Sequence, residues 1–185
     1  MRLPIPIATP PMEAHIVDAL PMGEGWHYEP KWDGFRCLAF RDGDEVALQA
    51  KSGKPLARYF PDMVAALKAL PARRFVLDGE LAIPVGDTLS FDALQLRLHP
   101  AASRVRKLAA ATPAILILFD CLFIAAAGVA AEKPLRERRR ALQAFCASLG
   151  PAPALRLTDY ARPRDRRSLA GPCRRRARRR RRQAP

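Results

Sequence analysis

The chain has 185 residues, of which 49% are hydrophobic and 27% charged. A chain of that length and composition can bury a core, which excludes a fully disordered protein and predicts one domain or a domain and a half. No apolar run approaches the ~18 residues of a membrane span, and the N-terminal Met1–Pro10 lacks a signal-peptide core, so the expected location is cytoplasmic. The net charge is +14, but residues 161–185 carry twelve Arg and one Asp, a net of +11, and residues 1–160 only +3. The strong basicity therefore belongs to the last 25 residues. Four cysteines (Cys37, Cys121, Cys146, Cys173) have no metal-binding spacing and read as reduced core thiols.

In chain order, a Pro-rich lead-in holds a short helical stretch around Glu13–Leu20. Trp26–Lys31, Phe35–Arg41 and Glu45–Ala50 read as strands. Asp42-Gly43-Asp44 joins the last two as a hairpin. Pro61 suits the first turn of a helix to about Leu70, with Met63, Leu67 and Leu70 on one face. Phe75–Ala82 follows as a strand, and Ser90 caps a short helix over Phe91–Leu98. Ala114–Cys121 is a continuous apolar run, as in a strand buried on both faces. Pro134 opens a helix to about Leu149 that buries Leu135, Leu142 and Phe145. Leu155–Leu157 is one more short strand. After Tyr160 apolar periodicity stops, and Arg174–Arg182 is almost unbroken like charge that cannot pack. That stretch reads as a disordered tail, or as GC-rich coding DNA translated out of frame.

The chemistry concentrates in Glu29-Pro30-Lys31-Trp32-Asp33-Gly34-Phe35-Arg36. A lysine can be a covalent nucleophile when a fraction of it is neutral. Arg36 can hold a phosphate, and Gly34 would allow a tight turn that keeps Lys31 and Arg36 on one side. An ordinary hairpin with surface charges is the competing reading. Leu77-Asp78-Gly79-Glu80 places two carboxylates at the end of an apolar strand, where Glu80 could take a sugar hydroxyl or a hard cation. Phe119, before Asp120 at the end of the next apolar strand, is either core or a face for a base.

Taken together these segments resemble the ATP-dependent DNA ligases of bacteria, in the superfamily of covalent nucleotidyltransferases. Lys31-Trp32-Asp33-Gly34-Phe35-Arg36 is similar to the family's Lys-x-Asp-Gly-x-Arg motif. Leu48 to Gly53, Arg58-Tyr59-Phe60-Pro61-Asp62, Leu77 to Glu80 and Leu118-Phe119-Asp120 resemble its later motifs in order. Ser90-Phe91 through His99-Pro100, Ser103 to Arg106, and Pro134-Leu135 with Arg138-Arg139 resemble the stand-alone end-joining type. The resemblance covers about residues 3–160. It implies an α+β adenylation domain of antiparallel sheets with flanking helices, incomplete at its C-terminus, and a separate tail over 161–185. It also implies that Lys31 attacks ATP to form lysyl-AMP, which passes to a DNA 5′-phosphate before the nick is sealed.

By the same resemblance, Glu29, Arg36, Lys51, Glu80 and Phe119 bind the nucleotide. Glu29 lies at adenine, Arg36 at the ribose or phosphate side of the nucleotide, Glu80 at ribose or in support of a Mg²⁺ or Mn²⁺ ion, and Phe119 stacked on the base. Lys51 stands where the family usually has Arg and loses the bidentate fork. The implied partners are nicked or broken double-stranded DNA and end-joining proteins, with a monomeric chain and roles in DNA repair and recombination. The family's later motifs and oligonucleotide-binding barrel have no counterpart after Tyr160, so the sequence reads as an N-terminal portion, truncated or frame-shifted. An RNA ligase or capping-type guanylyltransferase is the alternative within the superfamily. A non-catalytic fragment that binds nucleic acid through its Arg tail is the alternative outside it.

Overall fold

A computed structural model describes residues 1–13, 15–19, 21 and 26–160. Its centre is a six-stranded sheet. The hairpin of β1 (Phe35–Asp42) and β2 (Glu45–Ala50) turns through Gly43, at φ 63°, with Asp42 opposite Glu45. Next in the chain come α1 (Pro61–Ala69) and β3 (Arg74–Ala82), then the small hairpin of β4 (Pro84–Val85) and β5 (Thr88–Leu89). Two helices follow, α2 (Phe91–Leu96) and α3 (Ala102–Ala111). The chain continues with β6 (Ile115–Ile124), β7 (Gly128–Val129), α4 (Leu135–Ser148) and β8 (Leu155–Leu157).

The order across the large sheet is β2-β1-β3-β6-β7, all antiparallel, and β8 joins β6 in parallel. The register sets Arg36 opposite Glu80, and Asp78 opposite both Leu38 and Asp120. Alternation along the strands then sends Cys37, Ala39, Leu77, Leu81, Leu116 and Leu118 into one large core with Phe60, Met63, Leu67, Leu142 and Phe145 from the helices. The opposite face is apolar at one end, where Ile5 covers Leu38, Phe40, Val76, Leu122 and Phe123. The lead-in is fastened there by the Met1 amine on Glu45 (3.0 Å) and by the Arg2 N–H on Asp42.

Buried arginines tie the helices to the sheet. Arg41 donates to the carbonyls of Leu67, Lys68, Leu70 and Ala72, satisfying the open C-terminal end of α1. Arg97, with no exposed surface, makes a two-pronged bond to Asp62 (3.1 and 2.6 Å). Arg138 reaches Asp120 at 2.9 Å. Cys37 and Cys121 are buried, and burial pushes the Cys121 thiol up to about 12. Cys173 lies outside the described residues, as does the expected tail.

Most sequence-expected elements are present within one or two residues. Ser90 caps α2 by accepting from the Ala93 N–H at 3.2 Å. Two expected elements are missing. Trp26–Lys31 is not a strand: it carries a single bridge at Tyr28, and Pro30 has no N–H for a ladder. Among the described residues of 13–20 there is no helix. Helix α3 was not expected. It buries only Val105 and Ala109, and alanine gives little amphipathic signal. The carboxylates of Asp78, Glu80 and Asp120 sit inside strands, not at strand ends, because β3 and β6 continue past them.

Candidate active site

An open cleft lies over the charged half of the second sheet face. Glu29, Lys31, Arg36, Glu80 and Phe119 line it together, with His27, Trp32 and Leu135. Five of the six expected site residues therefore converge from four places: the segment before β1, β1 itself, β3 and β6. Lys31 is exposed at this cleft, in irregular chain rather than at a strand end.

Gly34 explains why the approach to β1 can be this close. A Cβ there would overlap the Leu81 carbonyl oxygen and lie 2.8 Å from Glu80 Cγ. The requirement at Gly34 is space against β3, and it is not among the positive-φ glycines. Gly79 meets the same constraint one strand over, where a Cβ would lie 2.7 Å from the Ile117 carbonyl oxygen.

Arg36 is buried, and its Nε and Nη2 both donate to Asp78 at 2.6 Å. Its guanidinium also lies 4.5 Å from the centroid of the Phe119 ring and donates to the Met12 carbonyl at 3.3 Å. Burial opposes the charge on Arg36, but the hydrogen-bonded Asp78 raises its pKa beyond the ordinary value. One side chain thus links the acidic pair on the sheet to the aromatic ring.

Glu29 is the perturbed acid of the cleft. Burial pushes its pKa up to about 7, and Asp120 and Asp78 add to the rise; Arg139, at 3.2 Å, and Arg36 oppose it without reversing it. Its carboxyl therefore holds its proton to higher pH than an ordinary glutamate. Glu80 is 6% exposed on the cleft floor. Among the described residues no group of three or more His, Cys, Asp or Glu could hold a metal ion by itself.

Lys51 is not brought into the lining. It follows β2 one position past the Cys37–Ala50 pair, is 52% exposed, and its ammonium goes to Glu13 at 3.2 Å. The sequence reading assigned no role to Arg139, Thr158 or Tyr160, all of which touch the Lys31 segment. The available signal was Arg138-Arg139 between Leu135 and Leu142. Helical spacing puts these arginines on the buried stripe of α4, where charge demands a partner.

An antiparallel sheet backed by helices thus carries one cleft that gathers an exposed lysine, an arginine paired with Asp78 and the buried Glu80. The chain matches the family described as ATP dependent DNA ligase domain over residues 11–159, and it belongs to that family. It is 47% identical over 151 residues to DNA ligase C2 of Mycolicibacterium smegmatis, covering 82% of this chain and 42% of the relative. It is 48% identical over 142 residues to DNA ligase C of Mycobacterium tuberculosis, covering 77% and 39%. The chain thus spans about two fifths of the length of these curated relatives. Its fold is similar to the ligase domain of M. tuberculosis LigD, with a TM-score of 0.54, 24% identity and coverage of 73% of this chain and 39% of that one. A mycobacterial DNA ligase D complexed with ATP and MES is similar at TM-score 0.54 and 22% identity, covering 83% and 44%. No helix among the described residues is long and apolar enough to cross a membrane.

Proposed function

We propose that this chain performs the nucleotidyl-transfer step of ATP-dependent DNA ligation, with Lys31 as the nucleophile. The observation that carries the reading is the convergence of Lys31, Glu29, Arg36, Glu80 and Phe119 on one cleft in a chain of the DNA ligase family. In its neutral form the Lys31 amine attacks the α-phosphorus of ATP. A P–N bond forms, the bond to the pyrophosphate oxygen breaks, pyrophosphate leaves with the electron pair, and the amine proton passes to solvent. AMP then moves to the 5′-phosphate at a DNA nick, and the 3′-hydroxyl displaces it to seal the strand.

Each cleft residue has a matching task. Ionised Glu29 accepts from the exocyclic amine of adenine. Phe119 supplies an aromatic surface for the base, with Arg36 held against its ring. Arg36 offers positive charge toward ribose and phosphate while Asp78 fixes its plane. Glu80 takes a ribose hydroxyl, or a Mg²⁺ or Mn²⁺ ion that arrives with the phosphates; such an ion offsets negative charge on the phosphates during attack. Lys51 is left outside this set. The partner is nicked or broken double-stranded DNA, and the chain works as a monomer beside end-joining proteins.

The test is transfer of α-labelled AMP from ATP to the chain, read by denaturing electrophoresis. A label is expected on the unmodified chain and on neither Lys31→Ala nor Lys31→Arg, because a guanidinium is never neutral at working pH. A label retained in either variant would end the assignment.

A further inference from the structure

Lys31 is held by no strand, yet the chain on both sides of it is fixed to one distant stretch. On the N-terminal side, Arg139 pairs with Glu29 at 3.2 Å. The same guanidinium donates to the carbonyls of Phe119 (2.9 Å) and Thr158 (2.8 Å) and lies 5.1 Å from the centroid of the Tyr160 ring. Tyr160 in turn stacks on His27, with centroids 4.2 Å apart and planes 15° apart. On the C-terminal side, the Trp32 indole N–H donates to Thr158 Oγ1 at 3.0 Å. Residues 27, 29 and 32 bracket Lys31, and all three are anchored from the end of β8 and the face of α4.

We infer that Arg139, Thr158 and Tyr160 form a clamp that positions Lys31 for attack. They are positioning residues, since each contacts the segment of residues 27–32 around Lys31 and none is assigned to ATP. The inference rests on Lys31 being the nucleophile. The physical case is one of anchoring. Arg139 is 2% exposed and Thr158 2%, so their bonds are shielded from water. The Lys31 side chain is exposed and has no such constraint of its own. A reacting amine must sit near its target with the right line of approach, and a displacement of ~1 Å can cost ~100-fold in rate. Tying Glu29 and Trp32 to one rigid strand–helix corner removes much of that freedom before ATP arrives.

Thr158 is the place to test this, because Thr158→Val keeps the shape and removes the hydroxyl, while Thr158→Ser restores it. Single-turnover lysyl-AMP formation is measured on the whole chain across ATP concentrations. Deuterium exchange of residues 27–34 is followed in parallel. Thr158→Val is expected to lower the rate at saturating ATP by about tenfold, leave the half-saturating ATP concentration unchanged, and speed exchange in 27–34. Thr158→Ser should restore both. Tyr160→Leu, which removes the stack on His27, should act in the same direction. Faster exchange with an unchanged rate would overturn the positioning role, and unchanged exchange would overturn the clamp itself. Absence of label on the unmodified chain would instead count against the Lys31 reading, and exchange alone would then decide the clamp.

Discussion

The two faces of the central sheet are built from the same strands and solve opposite problems. On the helix-covered face, Cys37, Ala39, Leu77, Leu81, Leu116 and Leu118 pack with helix side chains and carry no charge. One residue along each strand, the other face presents Arg36, Asp78, Glu80 and Phe119. These polar groups are nearly as buried as the leucines behind them: Asp78 is 1% exposed and Arg36 8%. The apolar face is stabilised by area removed from water. The charged face holds only because each charge is matched in place. The cleft thus grows from a period-two alternation in which one set of positions is given up to paired charge.

That contrast can be broken most severely at Asp78. Asp78→Ala leaves Arg36 buried without its bidentate partner and should cost about 3–5 kcal/mol, measured by urea unfolding. Replacing both residues, Arg36→Met with Asp78→Leu, should restore or raise stability while removing adenylylation. Unfolding of the double variant at lower urea than Asp78→Ala would show that the pair is not self-contained.

Gly79→Ala comes next. Its Cβ would meet the backbone of Ile117 at 2.7 Å, and overpacking of this kind costs about 1–3 kcal/mol. Stability equal to that of the unmodified chain would mean that β3 and β6 can separate freely at the cleft.

A third effect follows from Glu29. Its folded pKa, about 7, lies above the ordinary 4.5, so the folded state holds its proton more tightly. The linked contribution is fully present below pH ~4.5 and fades as pH rises through ~7. Glu29→Gln should flatten that slope, by on the order of 2–3 kcal/mol across the window. In the same range, ATP affinity should weaken as pH falls and Glu29 loses its accepting charge. Arg139→Gln removes an opposing cation and should move that midpoint upward. The other charges that set it are Asp120, Arg36 and Asp78.

The smallest change is expected at Lys51→Ala. Its exposed pair with Glu13 is worth at most ~1 kcal/mol. A large loss of ATP binding in this variant would bring Lys51 back into the nucleotide site.

What the sequence could reveal depended on how far apart the interacting residues lie. The β1–β2 hairpin, the Ser90 cap, the Pro61 and Pro134 helix starts and β8 all rest on local signals of a few residues. The Lys31-to-Arg36 motif was legible for the same reason. The strand expected over Trp26–Lys31 failed because Pro30 offers no N–H to a ladder and His27, Glu29 and Lys31 line the cleft. The Trp32–Thr158 bond joins residues 126 positions apart, and no local pattern marks it. Arg139 could have been suspected from its place on the apolar stripe of α4, but its partner Glu29 could not.

The most direct test of the central claim is peptide mapping of the chain after reaction with ATP and Mg²⁺. The account predicts AMP attached to Lys31 through a phosphoramidate bond that is stable in base and cleaved in acid. AMP on any other side chain, with Lys31 unmodified, would contradict it.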